Sequence, residues 1–262
     1  LPKDEFPIIE TSSNNAKRLK VKANTIFNLI NKTKFAISNE ETRYYLNGIF
    51  LHSQVGDGDE TLRAVATDGH RLARVDVDLP KGADGMPSVI LPRKAVLELR
   101  KLLETADGMV EVSLSETKAR FAFGSIVLTT KLIDGTFPDY QRVIPDGNSK
   151  VLKVDSQVFS EAVDRVSTVS KDKTRAIKLS LEKTNLLLTA HTPDHGSASE
   201  QLSVDYGADE LEIGFNARYL LEMTEQIRGT KISFEMEDGA SPAVVGDGED
   251  SRTIYVLMPM RV

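Results

Sequence analysis

The chain has 262 residues, with 33 Lys and Arg against 39 Asp and Glu, a formal charge of −6, and neither cysteine nor tryptophan. Without cysteine, a disulfide framework, a thiolate zinc site, an iron–sulfur cluster and a cysteine nucleophile are excluded. Hydrophobic residues make up 40% of the chain, yet no apolar run approaches the ~20 residues of a membrane-spanning helix. The sequence predicts a soluble protein of about two domains with no secretory signal and no membrane association. Its acidic charge argues against a protein that wraps nucleic acid in positive charge.

Hydrophobic spacing predicts two helices in the first half of the chain. One covers 24–37 and starts at Asn24, a residue type that caps helix N-termini. The other covers 93–104 and follows Pro92, which suits the start of a helix. Alternating apolar residues predict strands at Arg63–Val65, Leu72–Val77, Val110–Leu114 and Ile126–Leu132.

The second half of the chain repeats this order. Helices are predicted at about 156–168 and 216–227, and strands at 176–181, 186–190, 231–236 and 253–258. The links between strands are too short for crossover connections, so the sheets are expected to be antiparallel. The predicted fold class is α+β, with two helices packed on antiparallel sheets in each half.

Individual residues also recur between the two halves, which indicates an internal repeat. The segment Leu19–Val21 recurs as Leu152–Val154. Further along, Val110, Val112 and Leu114 match Ile232, Phe234 and Met236. The matches keep their order along the chain.

Glycine and proline mark a connector between the repeats at Gly135–Tyr140. A similar Phe-Pro connector occurs at Asp4–Pro7, which suggests that another copy precedes it. We therefore expect 1–18 to be a linker from a missing N-terminal domain, 19–136 to be one domain and 137–262 the next.

An enzymatic function would have to use the histidines. His191 and His195 have the i, i+4 spacing of a metal site, but Pro193 between them opposes a helix. Asp68 and His70 could form an acid–base couple, although no nucleophile with its own base is evident nearby. A metal-dependent α+β hydrolase that uses Asp68/His70 or His191/His195 is the alternative function. Otherwise no metal or cofactor is predicted.

Two segments favour a binding function instead. The segment Ala66–Ala73 (ATDGHRLA) places polar residues on a turn between strands. The chain ends in Tyr255–Val262 (YVLMPMRV), whose methionines and proline suit an apolar groove that accepts peptides. The simpler interpretation of this ending is a final core strand with methionine as filler. A two-domain adaptor unrelated to DNA would also agree with both segments.

These two segments and Phe137–Pro145 (FPDYQRVIP) resemble the bacterial DNA sliding clamps, the beta subunits of the replicative DNA polymerase III. The resemblance covers nearly the whole chain. It implies repeated DNA-clamp domains, of which 19–136 is the middle one and 137–262 the C-terminal one. In that family each chain has three domains, and two full-length chains form a homodimeric ring around duplex DNA.

The resemblance further implies a non-catalytic processivity factor in the bacterial cytoplasm, associated with the nucleoid. Its partners are double-stranded DNA, and DNA polymerase, clamp loader and repair proteins that insert short motifs containing Gln, Leu and Phe. Because part of the ring interface belongs to the first domain, the 262-residue chain alone is expected to be monomeric.

The family's peptide groove lies between its second and third domains and, by motif, assigns fourteen residues here. They are Leu46, Thr67, Gly69, His70, Arg71, Leu72, Pro138, Arg142, Val143, Pro242, Met258, Pro259, Met260 and Arg261. The implied DNA-binding residues are Arg43, Tyr44, Tyr45, Arg93 and Lys94, although strand tyrosines are more often core residues. Glu40 stands where the family has Gln. The four predicted helical segments together carry an excess of basic residues, which suits a ring whose helices line the hole.

Overall fold

The computed structural model describes residues 16–56, 59–170, 175–192, 196–248 and 250–262. The described residues form two compact units. The first contains the residues up to Asp68 together with Arg74–Pro138, and the second contains Gly69–Ala73 and Asp139–Val262. The sequence places the boundary after residue 136 and does not predict that Gly69–Ala73 belongs with the second unit.

The first unit contains two helices and two four-stranded sheets, with strand orders β1-β6-β7-β8 and β4-β3-β2-β5. Its elements are β1 Lys17–Lys22, α1 Ala23–Thr33, β2 Gly48–Gly56, β3 Asp59–Thr67, β4 Arg71–Asp78, β5 Val89–Pro92, α2 Arg93–Leu103, β6 Met109–Leu114, β7 Lys118–Phe123 and β8 Ile126–Lys131. Short 3₁₀ helices cover Lys34–Ala36 and Glu41–Leu46.

The second unit has the same layout, with strand orders β13-β9-β15-β16-β17 and β12-β11-β10-β14. Its elements are β9 Lys150–Asp155, α3 Ser156–Ser167, β10 Ala176–Glu182, β11 Asn185–Thr192, β12 Gly196–Ser203, β13 Asp205–Tyr206, β14 Leu211–Asn216, α4 Ala217–Thr224, β15 Lys231–Met236, β16 Ala243–Asp247 and β17 Asp250–Leu257. A 3₁₀ helix covers Tyr140–Val143.

Equivalent strands pair in the same register, which confirms the repeat. Val21 of β1 lies opposite Val110 of β6, and Val154 of β9 lies opposite Ile232 of β15. All four side chains are buried. Because side chains alternate between the two faces of a strand, this register commits one face of each sheet to the core.

Each unit packs its two helices against each other and against the buried sheet faces. The apolar stripe of α1 includes Leu29 and Ile30, and that of α2 includes Val96 and Leu99, all of which are buried. Full burial of a side chain of this size stabilises the fold by ~1.5–3 kcal/mol. The predicted α+β class, with two helices on antiparallel sheets in each repeat, is confirmed.

Several predicted helix ends were wrong. Asn24 is not the N-cap of α1, because the helix starts at Ala23 after an extended Lys22 that has no side-chain cap. The α-helix ends at Thr33, not at 37, and the hydroxyl of Thr33 donates to the carbonyl of Leu29 at 2.6 Å. A hydroxyl bonded to the preceding turn in this way competes with regular helix geometry.

The last helix is also shorter than predicted, since α4 ends at Thr224 and not at 227. The hydroxyl of Thr224 likewise donates to a carbonyl in its own turn, that of Leu221, at 2.9 Å. The predicted linker at 1–18 differs as well: Lys17 and Arg18 already belong to β1, while 1–15 lie outside the described residues.

The C-terminal segment leaves the sheet at the end of β17. Tyr255, Val256 and Leu257 are buried, after which the amide of Met260 donates to the carbonyl of Gly214 on β14 at 2.8 Å. A Cβ at Gly214 would lie only 2.6 Å from the Met260 carbonyl oxygen and 2.5 Å from a methyl group of Val262. Glycine at this position therefore allows the C-terminal segment to cross β14.

We expect Gly214→Ala to displace the C-terminal segment, because Cβ contacts below 3.0 Å force a shift and here one neighbour is backbone. Hydrogen exchange of the Met260 amide should accelerate about tenfold or more as its bond to Gly214 opens. Gly207→Ala is the matched control, since a Cβ there would meet nothing within 4 Å. Unchanged protection of Met260 in the Gly214 variant would contradict this account.

Candidate functional site

The turn between β3 and β4 supplies the first part of the candidate site in the second unit. Gly69 has φ +89°, a left-handed conformation that glycine adopts without steric cost. The next residue, His70, accepts a hydrogen bond at its carbonyl oxygen from the amide of Met258 at 2.9 Å. The structure thus brings the turn Gly69–Leu72, which includes the first two residues of β4, against the C-terminal segment. The two stretches lie far apart in the sequence.

Arg71 in this turn is held by helix α4. Only 7% of Arg71 is exposed, and its guanidinium carbon lies 4.2 Å from the centroid of the Tyr219 ring. The guanidinium donates to the carboxylate of Glu222, which also accepts from Nε of Arg218 at 2.8 Å. Burial alone would raise the pKa of Glu222, but hydrogen bonds from Arg218 and Arg71 outweigh it and place the pKa below its usual value.

Tyr219 and Glu222 were not predicted from the sequence. The sequence does carry a local signal, because Arg218 and Glu222 have the i, i+4 spacing of a helical ion pair. Their second partner, Arg71, is separated from Glu222 by 151 positions, and no periodicity connects residues that distant.

The C-terminal segment presents apolar side chains outside the core. Met258 is 41% exposed, Pro259 and Met260 are half-buried, and Arg261 is exposed. The interpretation of the chain's ending as a core strand is therefore right for Tyr255–Leu257 and wrong for Met258–Met260. Two soft methionine side chains beside a proline give an adaptable apolar surface.

The other predicted groove residues lie in different parts of the two units. In the second unit, Val143 is 48% exposed on a 3₁₀ helix, and Arg142 pairs with Asp139 at 2.7 Å. Pro242 precedes β16, and its carbonyl accepts from the side-chain amide of Asn148 at 3.0 Å.

The first unit contributes Leu46, Thr67 and Pro138 to the predicted groove. Leu46 and Thr67 are buried, and so is Leu72 of the second unit, whereas Pro138 is exposed. The three buried residues offer little side-chain surface to a ligand. They contribute to the packing of the protein interior.

The predicted DNA-binding tyrosines lie on the 3₁₀ helix Glu41–Leu46 in the first unit. Tyr44 is 53% exposed and Tyr45 is half-buried, and their rings meet edge to face with centroids 5.8 Å apart. A Cβ at Gly135 would come within 3.1 Å of Tyr45 Cβ. Tyr44 is thus a surface residue, and the alternative that it belongs to the core was wrong.

Main-chain hydrogen bonds connect the tyrosines to the basic start of α2. The amide of Asn47 donates to the carbonyl of Tyr44 at 3.0 Å, and the amide of Arg93 donates to the carbonyl of Asn47 at 2.9 Å. Arg93 and Lys94 are exposed on the first helical turn. The structure therefore brings the predicted DNA-binding residues together on one surface of the first unit.

Glu40 lies at the edge of this surface. Its carboxylate accepts from Nε of Arg43 at 2.7 Å and raises the pKa of the guanidinium, chiefly through that hydrogen bond. The negative charge of Glu40 thus lies beside Arg43, one of the candidate DNA-binding residues.

Nothing in the described residues supports the hydrolase alternative. Among them, no group of three or more His, Asp or Glu side chains could hold a metal ion. His191 is exposed on β11, while His195 lies outside the described residues, as do Pro193 and Asp194.

None of the described helices combines the length and apolar character that a bilayer crossing needs.

Comparison with known proteins identifies the family of both units. The model of the DNA polymerase III beta subunit central domain matches residues 20–139, and that of the C-terminal domain matches residues 141–261. The beta sliding clamp of Caulobacter vibrioides is 49% identical over 262 residues, covering 100% of this chain and 70% of the relative. That of Pseudomonas aeruginosa is 38% identical with the same coverage.

Solved structures of sliding clamps are similar to this chain as well. The DNA polymerase III subunit beta sliding clamp of Bartonella birtlesii, solved bound to griselimycin, is 53% identical and has a TM-score of 0.96 over 100% of this chain and 70% of its own. A Caulobacter crescentus beta sliding clamp reaches a TM-score of 0.95 at 49% identity, with the same coverage. The chain belongs to the bacterial beta sliding clamps, the beta subunits of DNA polymerase III.

Proposed function

We propose that this chain serves as a non-catalytic processivity factor: it encircles duplex DNA as part of a homodimeric ring and binds partner proteins by short peptides. The observation that carries the peptide function is the hydrogen bond from Met258 to His70, which sets an exposed apolar segment beside a polar turn. DNA polymerase, clamp loader and repair proteins with motifs containing Gln, Leu and Phe are the expected partners. The chromosome as ligand implies the bacterial cytoplasm and nucleoid as location.

The second unit supplies both kinds of contact that such a peptide needs. Met258, Pro259 and Met260 offer apolar surface for the ligand's Leu and Phe side chains. His70 adds a polar group that can fix the orientation of the peptide. The buried Arg71 supports the turn through its contacts with Tyr219 and Glu222. The residues proposed for peptide binding in the second unit are Gly69, His70, Arg71, Leu72, Arg142, Val143, Pro242, Met258, Pro259, Met260 and Arg261. Those proposed in the first unit are Leu46, Thr67 and Pro138. Leu46, Thr67 and Leu72 are buried and contribute packing.

The first unit supports a weak attraction for DNA. We propose Arg43, Tyr44, Tyr45, Arg93 and Lys94 as the DNA-binding surface, with Arg93 and Lys94 exposed on the first turn of α2. Few phosphate contacts mean weak binding with a shallow salt dependence, because that dependence scales with the number of phosphates neutralised. A clamp suits this weakness, because ring closure retains the DNA while the weak contacts let it slide.

Edge strands support the ring. In the described part of each unit, edge strands flank a four-stranded sheet: β1 and β8 in the first unit, β12 and β14 in the second. Edge strands pair readily with strands of other molecules. A head-to-tail ring would use such edges.

The ring can be tested with a chain extended at its N-terminus to the full length of its relatives. Loaded by a clamp loader onto a nicked circular plasmid, it should stay bound through gel filtration and leave when the plasmid is linearised, because only topology holds it. Equal loss from circular and linear DNA would contradict the proposal. A two-domain adaptor unrelated to DNA would give that result.

The peptide site is tested by Met260→Ala and by deletion of 258–262. With a synthetic peptide containing Gln, Leu and Phe, calorimetry should show an affinity loss of about thirtyfold or more for Met260→Ala, as for an interface hot spot of ~2 kcal/mol. The deletion should abolish binding. Val158→Ala, which trims an exposed apolar side chain on α3, is the matched control and should bind normally. Unchanged affinity of both tail variants would refute this placement of the site.

The DNA surface is tested by Glu40→Gln. Removal of the carboxylate that pairs with Arg43 at 2.7 Å should raise affinity for a short duplex about threefold at low salt, and the gain should shrink as salt screens the charges. Glu111→Gln, which breaks the exposed pair with Lys20 on a different sheet, is the control for net charge. Equal gains in fluorescence anisotropy titrations of the two variants would show that Arg43 is not part of the DNA surface.

A further inference from the structure

One carboxylate, that of Glu222, holds the arginine on which the recognition turn depends. We infer that Glu222 is a positioning residue for the peptide site: through Arg71 it fixes the turn Gly69–Leu72, and through that turn the start of the C-terminal segment. The inference rests on the proposed peptide-binding function and adds to it a residue that touches no peptide itself.

Two contacts from α4 fix the Arg71 guanidinium. The Tyr219 ring lies beneath it at 4.2 Å, and the Glu222 carboxylate accepts from its Nη1 atom. Aromatic stacking and a charge-assisted hydrogen bond together determine both the plane and the direction of the guanidinium. With only 7% of Arg71 exposed, loss of the carboxylate would leave a desolvated charge without its ion pair to Glu222.

The position of Arg71 determines that of its neighbour in the turn. His70 directly precedes it, and the His70 carbonyl accepts the amide of Met258. If Arg71 leaves α4, the turn loses a side-chain anchor next to His70, and we expect the His70 carbonyl to shift. The effect would then reach Met258, which begins the exposed part of the C-terminal segment.

Helix α4 is a rigid support for this arrangement. Asn216 caps it by accepting at its side-chain oxygen from the amides of Arg218 at 2.9 Å and Tyr219 at 3.4 Å. Leu220 and Met223 anchor its other face in the core, both with 0% exposure. Tyr219 and Glu222 therefore project from a helix whose position is set independently of the turn.

The same stretch of chain also supports the C-terminal segment directly. Gly214, just before the Asn216 cap, accepts the amide of Met260 at 2.8 Å. From Gly214 to Glu222, one continuous stretch thus holds both parts of the proposed site. The ionised state of Glu222 agrees with this role, since hydrogen bonds from the two arginines keep its pKa below the usual value.

The test is Glu222→Gln, measured as affinity for the same synthetic peptide. We expect about a tenfold loss of affinity at a temperature where the variant is folded, and a lower thermal unfolding midpoint because the buried Arg71 guanidinium loses its ion pair to Glu222. Glu225→Gln removes the same charge from an exposed position next to the same helix and should bind normally. If Glu222→Gln binds like Glu225→Gln, the inference is wrong.

A double-mutant cycle separates positioning from a general structural effect. If Glu222 acts through Arg71, then Arg71→Lys should cost much less affinity in the Glu222→Gln background than in the wild type. Additive losses would overturn the inference. If the wild-type chain binds no peptide, the proposed function fails, whereas normal wild-type binding with an unaffected Glu222 variant defeats only the inference.

Glu222→Asp covers the case in which Glu222→Gln does not fold. Aspartate keeps the charge but shortens the reach to Arg71, so affinity should fall below that of the wild type while the protein stays folded. A folded Glu222→Asp with wild-type affinity, combined with an unfolded Glu222→Gln, would assign Glu222 to stability alone and overturn the inference.

Discussion

Both units depend on the burial of two helices against one face of antiparallel sheets. The register that places Val21 opposite Val110, and Val154 opposite Ile232, commits the inner strand faces to apolar contact with the helices. Each helix must then bury one stripe and leave its other side to solvent. The exposed basic residues of α2 and the half-buried anchor residues of α4, Tyr219 and Glu222, both follow from this arrangement, because neither set can turn inward without exposing the core stripe.

The candidate peptide site combines flexible methionine side chains with a main chain that is held by hydrogen bonds. Met258 and Met260 have flexible side chains that can adapt to a ligand, but their main-chain amides are bonded to His70 and Gly214. An apolar surface binds a peptide well only if little order must be gained on binding. The main-chain hydrogen bonds order the C-terminal segment before any peptide binds. The methionine side chains can still adapt to the ligand.

Periodicity predicted only part of the strands. Strands such as β6 and β10, in which every second side chain is buried, were predicted. Strand β7 alternates in the same way and was missed. Strand β12 was also missed, because five of its eight residues are polar and among the eight only Leu202 is buried. Most of the candidate site residues came from motif resemblance. Tyr219 and Glu222 needed the structure, since their link to Arg71 arises only from tertiary folding.

Net charge was the least informative of the sequence properties for function. An overall charge of −6 argues against DNA binding only if charge is spread evenly, and here it is not. Helix α2 exposes Arg93 and Lys94 beside the Tyr44 turn, whereas Glu40 offsets Arg43 at the edge of the same surface. Electrostatic fields are screened over ~8 Å in physiological salt, so the charges within that distance of a phosphate decide its attraction. An acidic chain can therefore present a locally basic surface, as the start of α2 does at Arg93 and Lys94.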